Sequence, residues 1–264
     1  MNEYMKNSIV NHAWHEFLYG YNTSERKEFL KSMVDSYPVK FDSSDPVAIY
    51  IDDFMLPVVS DSANKDRYRE EAIAREYFSF VLVSAIVEQT MRQVKLEQLN
   101  ERMKKFINNV NRLFISDDDM KITDIDEFRA VLETAKKFYR DNYVKMMETG
   151  VFEGDINSLP IAFMDLSMFA TYYKRALGMN KHFAVVLDYS GTGAVVSQKA
   201  VNGLVTRRIT GDYSLKIACE PQDWKSYYDF SGQLAEAVHD YSAVELDSSY
   251  ATYVKELRNK KGIF

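Results

Sequence analysis

Apolar positions along the chain change their period several times, and each change marks an element. Phe17, Leu18 and Tyr19 form a short apolar run that meets Gly20 and a polar turn. Phe29, Leu30, Met33 and Val34 then recur at helical spacing behind an N-cap at Thr23 or Ser24, and Tyr37-Pro38 closes that helix. Val47–Ile51 is a second apolar run, ending in Asp52 and Asp53. Strand, helix and strand in this order predict a βαβ unit and a parallel sheet. From 61 to 148 neither Pro nor Gly occurs, and the period is helical throughout. Residues 77–87 are so rich in apolar side chains that the middle of the first helix is expected to be buried on most sides. Leu96, Leu99, Met103, Phe106, Val110 and Leu113 alternate steps of three and four, which predicts a short coiled-coil hairpin. Ile125, Phe128, Leu132, Ala135, Tyr139, Tyr143 and Met146 mark one face of a further helix, capped near Thr123 or Asp124.

Beyond Pro160 the pattern returns to strands. Residues 161–177 read as a helix stopped by Gly178, and Phe183–Leu187 as a strand buried on both faces. A helix over 195–209, strands over 213–219 and 243–246, and a C-terminal helix over 249–260 follow. The expected fold is α/β: a parallel sheet flanked by helices, built from 1–60 and 155–264. Residues 61–154 are expected as an inserted helical, coiled-coil-like subdomain.

With 264 residues, 46% of them hydrophobic, the chain is long enough for a substantial core, and 18 Tyr and 16 Phe make it aromatic. The net charge of −6 argues against wholesale coating of nucleic acid. A lone cysteine, Cys219, excludes a disulfide framework and a cysteine-built metal site, as suits a reducing cytoplasm. The opening MNEYMKNS has no apolar signal segment, and residues 77–87 are too few to span a bilayer. A cytoplasmic protein is expected, with no membrane partner.

Asp188 is the leading candidate for chemistry. It closes the apolar run 183–187 and precedes the small polar turn Ser190-Gly191-Thr192-Gly193. Ligands of open α/β sheets gather at the carboxyl ends of such strands, so this carboxylate is placed to hold Mg²⁺ or orient a water, as in a Walker-B strand. The strand–Gly20–helix passage is the matching phosphate cradle, because amides at a helix N-terminus point at an anion. Candidate phosphate contacts there are Gly20, Asn22, Thr23, Ser24, Arg26 and Lys27. Counting G-x-x-x-x-G-K-[ST] from Gly20 puts Glu25 at the second glycine, Arg26 at the lysine and Lys27 at the hydroxyl position. The motif is worn, and an ordinary capped helix after a turn is the competing reading.

Other constellations are weaker. His12 and His15 lie three apart around Trp14 but lack further ligands at metal spacing. Asp117, Asp118 and Asp119 have Ile122 and Phe128 where a calcium loop needs Gly and Glu. Arg92, Lys95, Arg102, Lys104, Lys105 and Arg112 are interleaved with glutamates and read as a solvated face. Trp224, Tyr227 and Tyr228 read as packing rather than base stacking, and His182 and His239 as structural hydrogen-bonding groups. Asp52, Asp53, Asp188 and Glu220 at strand ends leave a two-metal nuclease open as a third class.

The blocks VVLDYSGTGAVVSQKAVNGLVTRRITGDYSLKIACEPQDW and GQLAEAVHDYSAVELD resemble the second half of bacterial ORC/Cdc6-like and STAND-type P-loop ATPases, which are AAA+-related. Asp188, Gln198, Asn202, Arg207, Lys216, His239, Asp240 and Tyr241 follow in the family's order, with Arg208 beside Arg207. YPVKFDSSDPVAIYIDDFMLP resembles the family's second strand, and FLYGYNTSERKEFL its P-loop position. The resemblance covers most of 17–57 and 161–254.

It implies Mg-ATP as the cofactor, Asp188 as the metal-side and catalytic carboxylate, and Asn202, Arg207 and Arg208 as further site residues. The family's expected glutamate after Asp188 is Tyr189, which cannot serve as a base at neutral pH. Weak or absent ATPase activity follows, in a regulatory or assembly subunit of a larger complex. That subunit would meet protein partners through its helices and sheet, beside an active ATPase in a DNA-transaction or antiphage setting, with DNA reached through the complex. A nucleotide-binding regulator with weak ATPase activity is the alternative.

Overall fold

The computed structural model describes residues 3–20, 23–60, 62–115, 121–161, 163–206, 211–237 and 239–246. Along the chain run α1 (Glu3–Asn11), β1 (Glu16–Tyr19), α2 (Thr23–Ser36), β2 (Val47–Ile51), α3 (Arg67–Gln93), α4 (Leu96–Leu113) and α5 (Ile125–Thr149). Then come α6 (Leu166–Leu177), β3 (Phe183–Asp188), α7 (Val195–Val205), β4 (Tyr213–Cys219) and β5 (Ser242–Glu245). The expected helix over 249–260 and the acidic stretch 117–119 lie outside the described residues.

The five strands form one sheet in the order β2-β3-β4-β1-β5, with every pair parallel. Residues 47–51 and 183–187 are direct neighbours, Val47 opposite Phe183 and Ile51 opposite Leu187. The chain leaves β1 toward the β2 edge and leaves β4 toward the β5 edge. Connections from these adjacent strands therefore diverge, and the sheet has its topological switch point between β1 and β4.

Side-chain alternation divides the core by face. Leu18, Ala48, Ala184, Val186 and Ala218 point to one side and pack with Ile9 and Val10 of α1 and Phe29, Leu30 and Met33 of α2. Phe17, Ile49, Phe183, Val185, Leu187, Leu215 and Ile217 point to the other, under the remaining helices. Every residue of β3 is buried, which explains its unbroken apolar run.

The helical segment shares this second core with the sheet. Tyr77–Val87 of α3 is buried on most sides as expected, while the seam of α4 is used differently from a hairpin coiled coil. Leu99, Met103, Phe106 and Val110 are buried, but Leu96 and Leu113 at its ends are exposed. Phe106 meets Phe128 of α5 and Phe169 and Tyr173 of α6, each edge to face at 5.1–5.8 Å. The seam thus supplies part of a common aromatic core.

Local signals set the helix ends. The Asp124 carboxylate accepts the Glu127 N–H at 2.9 Å, and the Glu127 carboxylate reaches back to the Thr123 N–H and hydroxyl. This reciprocal capping starts α5. Gly150 and Gly178 take φ of 78° and 73° to end α5 and α6, a left-handed turn open to glycine.

Candidate functional site

The carboxyl ends of β1, β2 and β3 converge with the first turns of α2. Arg26 sits in the second turn of α2, on the apolar stripe formed by Phe29, Leu30 and Met33, and is 1% exposed. That stripe faces the sheet, so the guanidinium is carried under the turn after β1. Its Nε donates to Asp188 Oδ1 at 3.1 Å, Nη1 to the Gly20 carbonyl at 3.0 Å and Nη2 to the Tyr189 carbonyl at 3.1 Å. Asp188 is likewise 1% exposed, and its Oδ2 accepts from the Tyr50 hydroxyl at 2.8 Å. Strand alternation explains the meeting: Tyr50 and Asp188 both point to the α2 face of the sheet. Burial and this hydrogen bond push the Tyr50 phenol pKa up, so Tyr50 remains a neutral donor.

A buried ion pair is held only when its lone pairs and N–H groups are met. Here both carboxylate oxygens are engaged, and the guanidinium fork binds three acceptors on two loops. Asp188 is thus paired within the chain on both oxygens and withdrawn from solvent.

The opposite face at the same strand ends is filled by rings. Tyr189 turns its side chain there, 5.5 Å from Trp224 and 6.3 Å from Phe54 between ring centroids. The Tyr19 and Tyr227 hydroxyls are 3.0 Å apart, and Phe17 packs on Trp224, Tyr227 and Tyr241. Cys219 is wholly buried, and desolvation pushes its thiol pKa up.

The remaining candidates fall in several places. The Gly20 carbonyl lies in the Arg26 network, whereas Thr23, Ser24 and Glu25 are exposed on the first turn of α2 and Lys27 is half-buried. Asn22, Arg207 and Arg208 lie outside the described residues. Asn202 is fully buried, and its Nδ2 donates to the Ser226 and Tyr228 carbonyls at 2.7 and 3.0 Å. Gln198, one turn earlier, accepts from the Lys225 and Ser226 N–H groups and donates to the Asp223 carbonyl and Tyr189 hydroxyl. Together they hold the loop after β4 against α7.

Lys216 is buried in mid-sheet, donating to Glu16 Oε2 at 2.8 Å and to the His12 and Trp14 carbonyls. His12 contacts Glu16, and His15 Nδ1 accepts the Leu215 N–H at 3.0 Å, so the two histidines serve the amino end of the sheet. The nuclease reading is corrected by this placement. Asp52 and Asp53 are exposed, Asp188 is buried, and Glu220 accepts from Gln222. Among the described residues no group of three or more His, Cys, Asp or Glu is placed to hold a metal.

Sequence reasoning missed Tyr50 and the inward turn of Arg26. The signal for Arg26 was its step of three and four from Phe29 and Leu30; its charge masked that stripe.

A parallel α/β sheet with this switch point, and a helix N-terminus and strand-end carboxylate beside it, is the fold of a P-loop NTPase-like domain in its sheet and flanking helices. More particularly, the chain belongs to the ORC-CDC6-like family, whose model matches residues 36–259. The family is AAA+-related and of nucleotide-binding type. Its match opens at the last residue of α2, so Gly20 and Arg26 precede it. No curated protein and no solved structure matches the chain. Among the described residues no helix is long and apolar enough to cross a membrane.

The family implies Mg-nucleotide as ligand. As arranged, the residues at the strand ends do not fit it: the carboxylate that would face the metal is closed off by Arg26 and Tyr50.

Proposed function

We propose that the protein is a pseudo-ATPase: a regulatory or assembly subunit that retains the ATP-handling sheet and works within a larger complex without turning over nucleotide. The observation that carries this reading is the buried Arg26–Asp188 pair, which engages the strand-end carboxylate from within the chain. Hydrolysis requires a metal held beside the phosphates and a residue that orients the attacking water. The residue after Asp188 is Tyr189, whose ring faces Trp224 and whose hydroxyl is bonded to Gln198.

The partners are proteins, met through the helical layer and the sheet, and DNA is reached through the complex. A DNA-transaction or antiphage assembly is its proposed setting. Two measurements on the purified full chain test the reading. Phosphate release from Mg-ATP should stay at the buffer background and be unchanged in Asp188→Asn. Affinity purification from the native host should return a stable protein complex. Turnover that Asp188→Asn abolishes would refute the proposal, as would a chain that purifies alone under every condition.

A further inference from the structure

We infer that Arg26 is an internal replacement for the metal-bound nucleotide of this fold, fixing α2 to the tips of β2 and β3 in one state. The inference rests on the pseudo-ATPase reading and adds how the empty task of the ligand is met. In a nucleotide-dependent domain, the metal brings positive charge to the strand-end carboxylate and the phosphates tie the glycine turn to it. Both tasks fall here to one side chain. The guanidinium supplies charge to Asp188, and the same group binds the Gly20 carbonyl of the turn after β1 and the Tyr189 carbonyl after β3. Tyr50 extends the tie to β2.

The substitution is also a change of regulation. A nucleotide can leave or lose a phosphate, and the contacts it made go with it. Arg26 is covalently part of α2 and cannot dissociate from the junction. The junction therefore does not report nucleotide state, and the surfaces offered to partners stay in one arrangement. Lysine would not serve equally, because three acceptors lying around a planar fork match guanidinium rather than ammonium geometry.

The test is thermal unfolding of the full chain as wild type, Arg26→Met, Asp188→Asn and the double variant, each with and without Mg-ATP. Wild type should melt at the same temperature with and without nucleotide. Each single variant leaves one buried charge uncompensated and should lower Tm by roughly 6–20 °C. The double variant removes both charges and should recover at least half of that loss. Should a single variant fail to fold, the double variant still decides the matter. A double variant no better than the worse single, or singles as stable as wild type, would overturn the inference. So would a rise of about 5 °C or more in wild-type Tm with Mg-ATP. A rise without phosphate release would overturn this inference alone and leave the non-hydrolysing role standing; phosphate release would overturn both.

Discussion

Gln89 of α3 pairs with the edge strand as another strand would: its Oε1 accepts the Tyr50 N–H at 3.2 Å while its Nε2 donates to the Ala48 carbonyl at 2.6 Å. Exposed edge groups are templates for association with other chains, and covering them is one way proteins avoid it. One turn later, Gln93 accepts the Val39 N–H at 2.6 Å. Helix α3 thus closes the β2 edge of the sheet with side-chain amides, on the strand that also presents Tyr50 to Asp188. Gln89→Leu should cost about 1–3 kcal/mol, through two unmet backbone groups. It should also shift the protein toward larger species, read by urea unfolding together with light scattering. Equal stability and an unchanged mass would refute this role.

The Tyr50 hydroxyl is a neutral donor to a buried carboxylate, and such bonds are among the stronger ones. Tyr50→Phe should destabilise the fold by about 1.5–3 kcal/mol in chemical denaturation. In a background of Asp188→Asn the same change should cost less, because the charged acceptor is gone. Equal costs in both backgrounds would show that the hydroxyl contributes nothing through its bond to the Asp188 carboxylate.

At the other end of the sheet, Lys216 faces Glu16 across the β4–β1 register. Burial lowers the Lys216 pKa, while Glu16 opposes that shift. Its ammonium has three acceptors in place, so the pair is a buried structural tie. Lys216→Met would leave the buried Glu16 carboxylate without its cation on Oε2 and the His12 and Trp14 carbonyls without their donor. The expected loss is about 3–5 kcal/mol, measured by urea unfolding. Glu16→Gln/Lys216→Met together should be milder than Lys216→Met alone.

His15 and His182 are both buried, and desolvation lowers each pKa from 6.5 to about 4, with Lys216 adding to the effect. In the unfolded chain they take up protons near pH 6.5, whereas the folded chain resists until about pH 4. The unfolded state therefore binds more protons across that window, and stability falls as pH drops from about 6.5 to about 4. His182→Gln keeps a donor for the Val10 backbone and removes one titrating group. Its Tm should fall less steeply over that window than wild type; parallel curves would exclude His182 from the effect.

Much of the sheet was legible because its strands are continuous apolar runs bounded by turns. Val47–Ile51 and Tyr213–Cys219 have the bounds read from sequence, and Phe183–Asp188 adds only the terminal carboxylate. The α4 seam was legible as a period but not in its partner, since spacing of three and four shows that a face is buried and not against what. The site was half legible. Asp188 could be found from its strand, but its environment depends on Arg26, 162 residues away in sequence. Charge alone suggested that Arg26 faces solvent or phosphate. Only the fold, which lays α2 over the face carrying Tyr50 and Asp188, turns it inward. Gln198 and Asn202 were legible as a spaced pair, but their role in gripping 223–228 depends on a loop that carries no regular pattern.

The central claim is that the phosphate end of this fold is closed by its own arginine. Isothermal titration of Mg-ATP into the wild-type full chain tests it most directly. The account predicts no saturable heat up to millimolar nucleotide. A single-site isotherm in the micromolar range, with Arg26 and Asp188 unaltered, would contradict it.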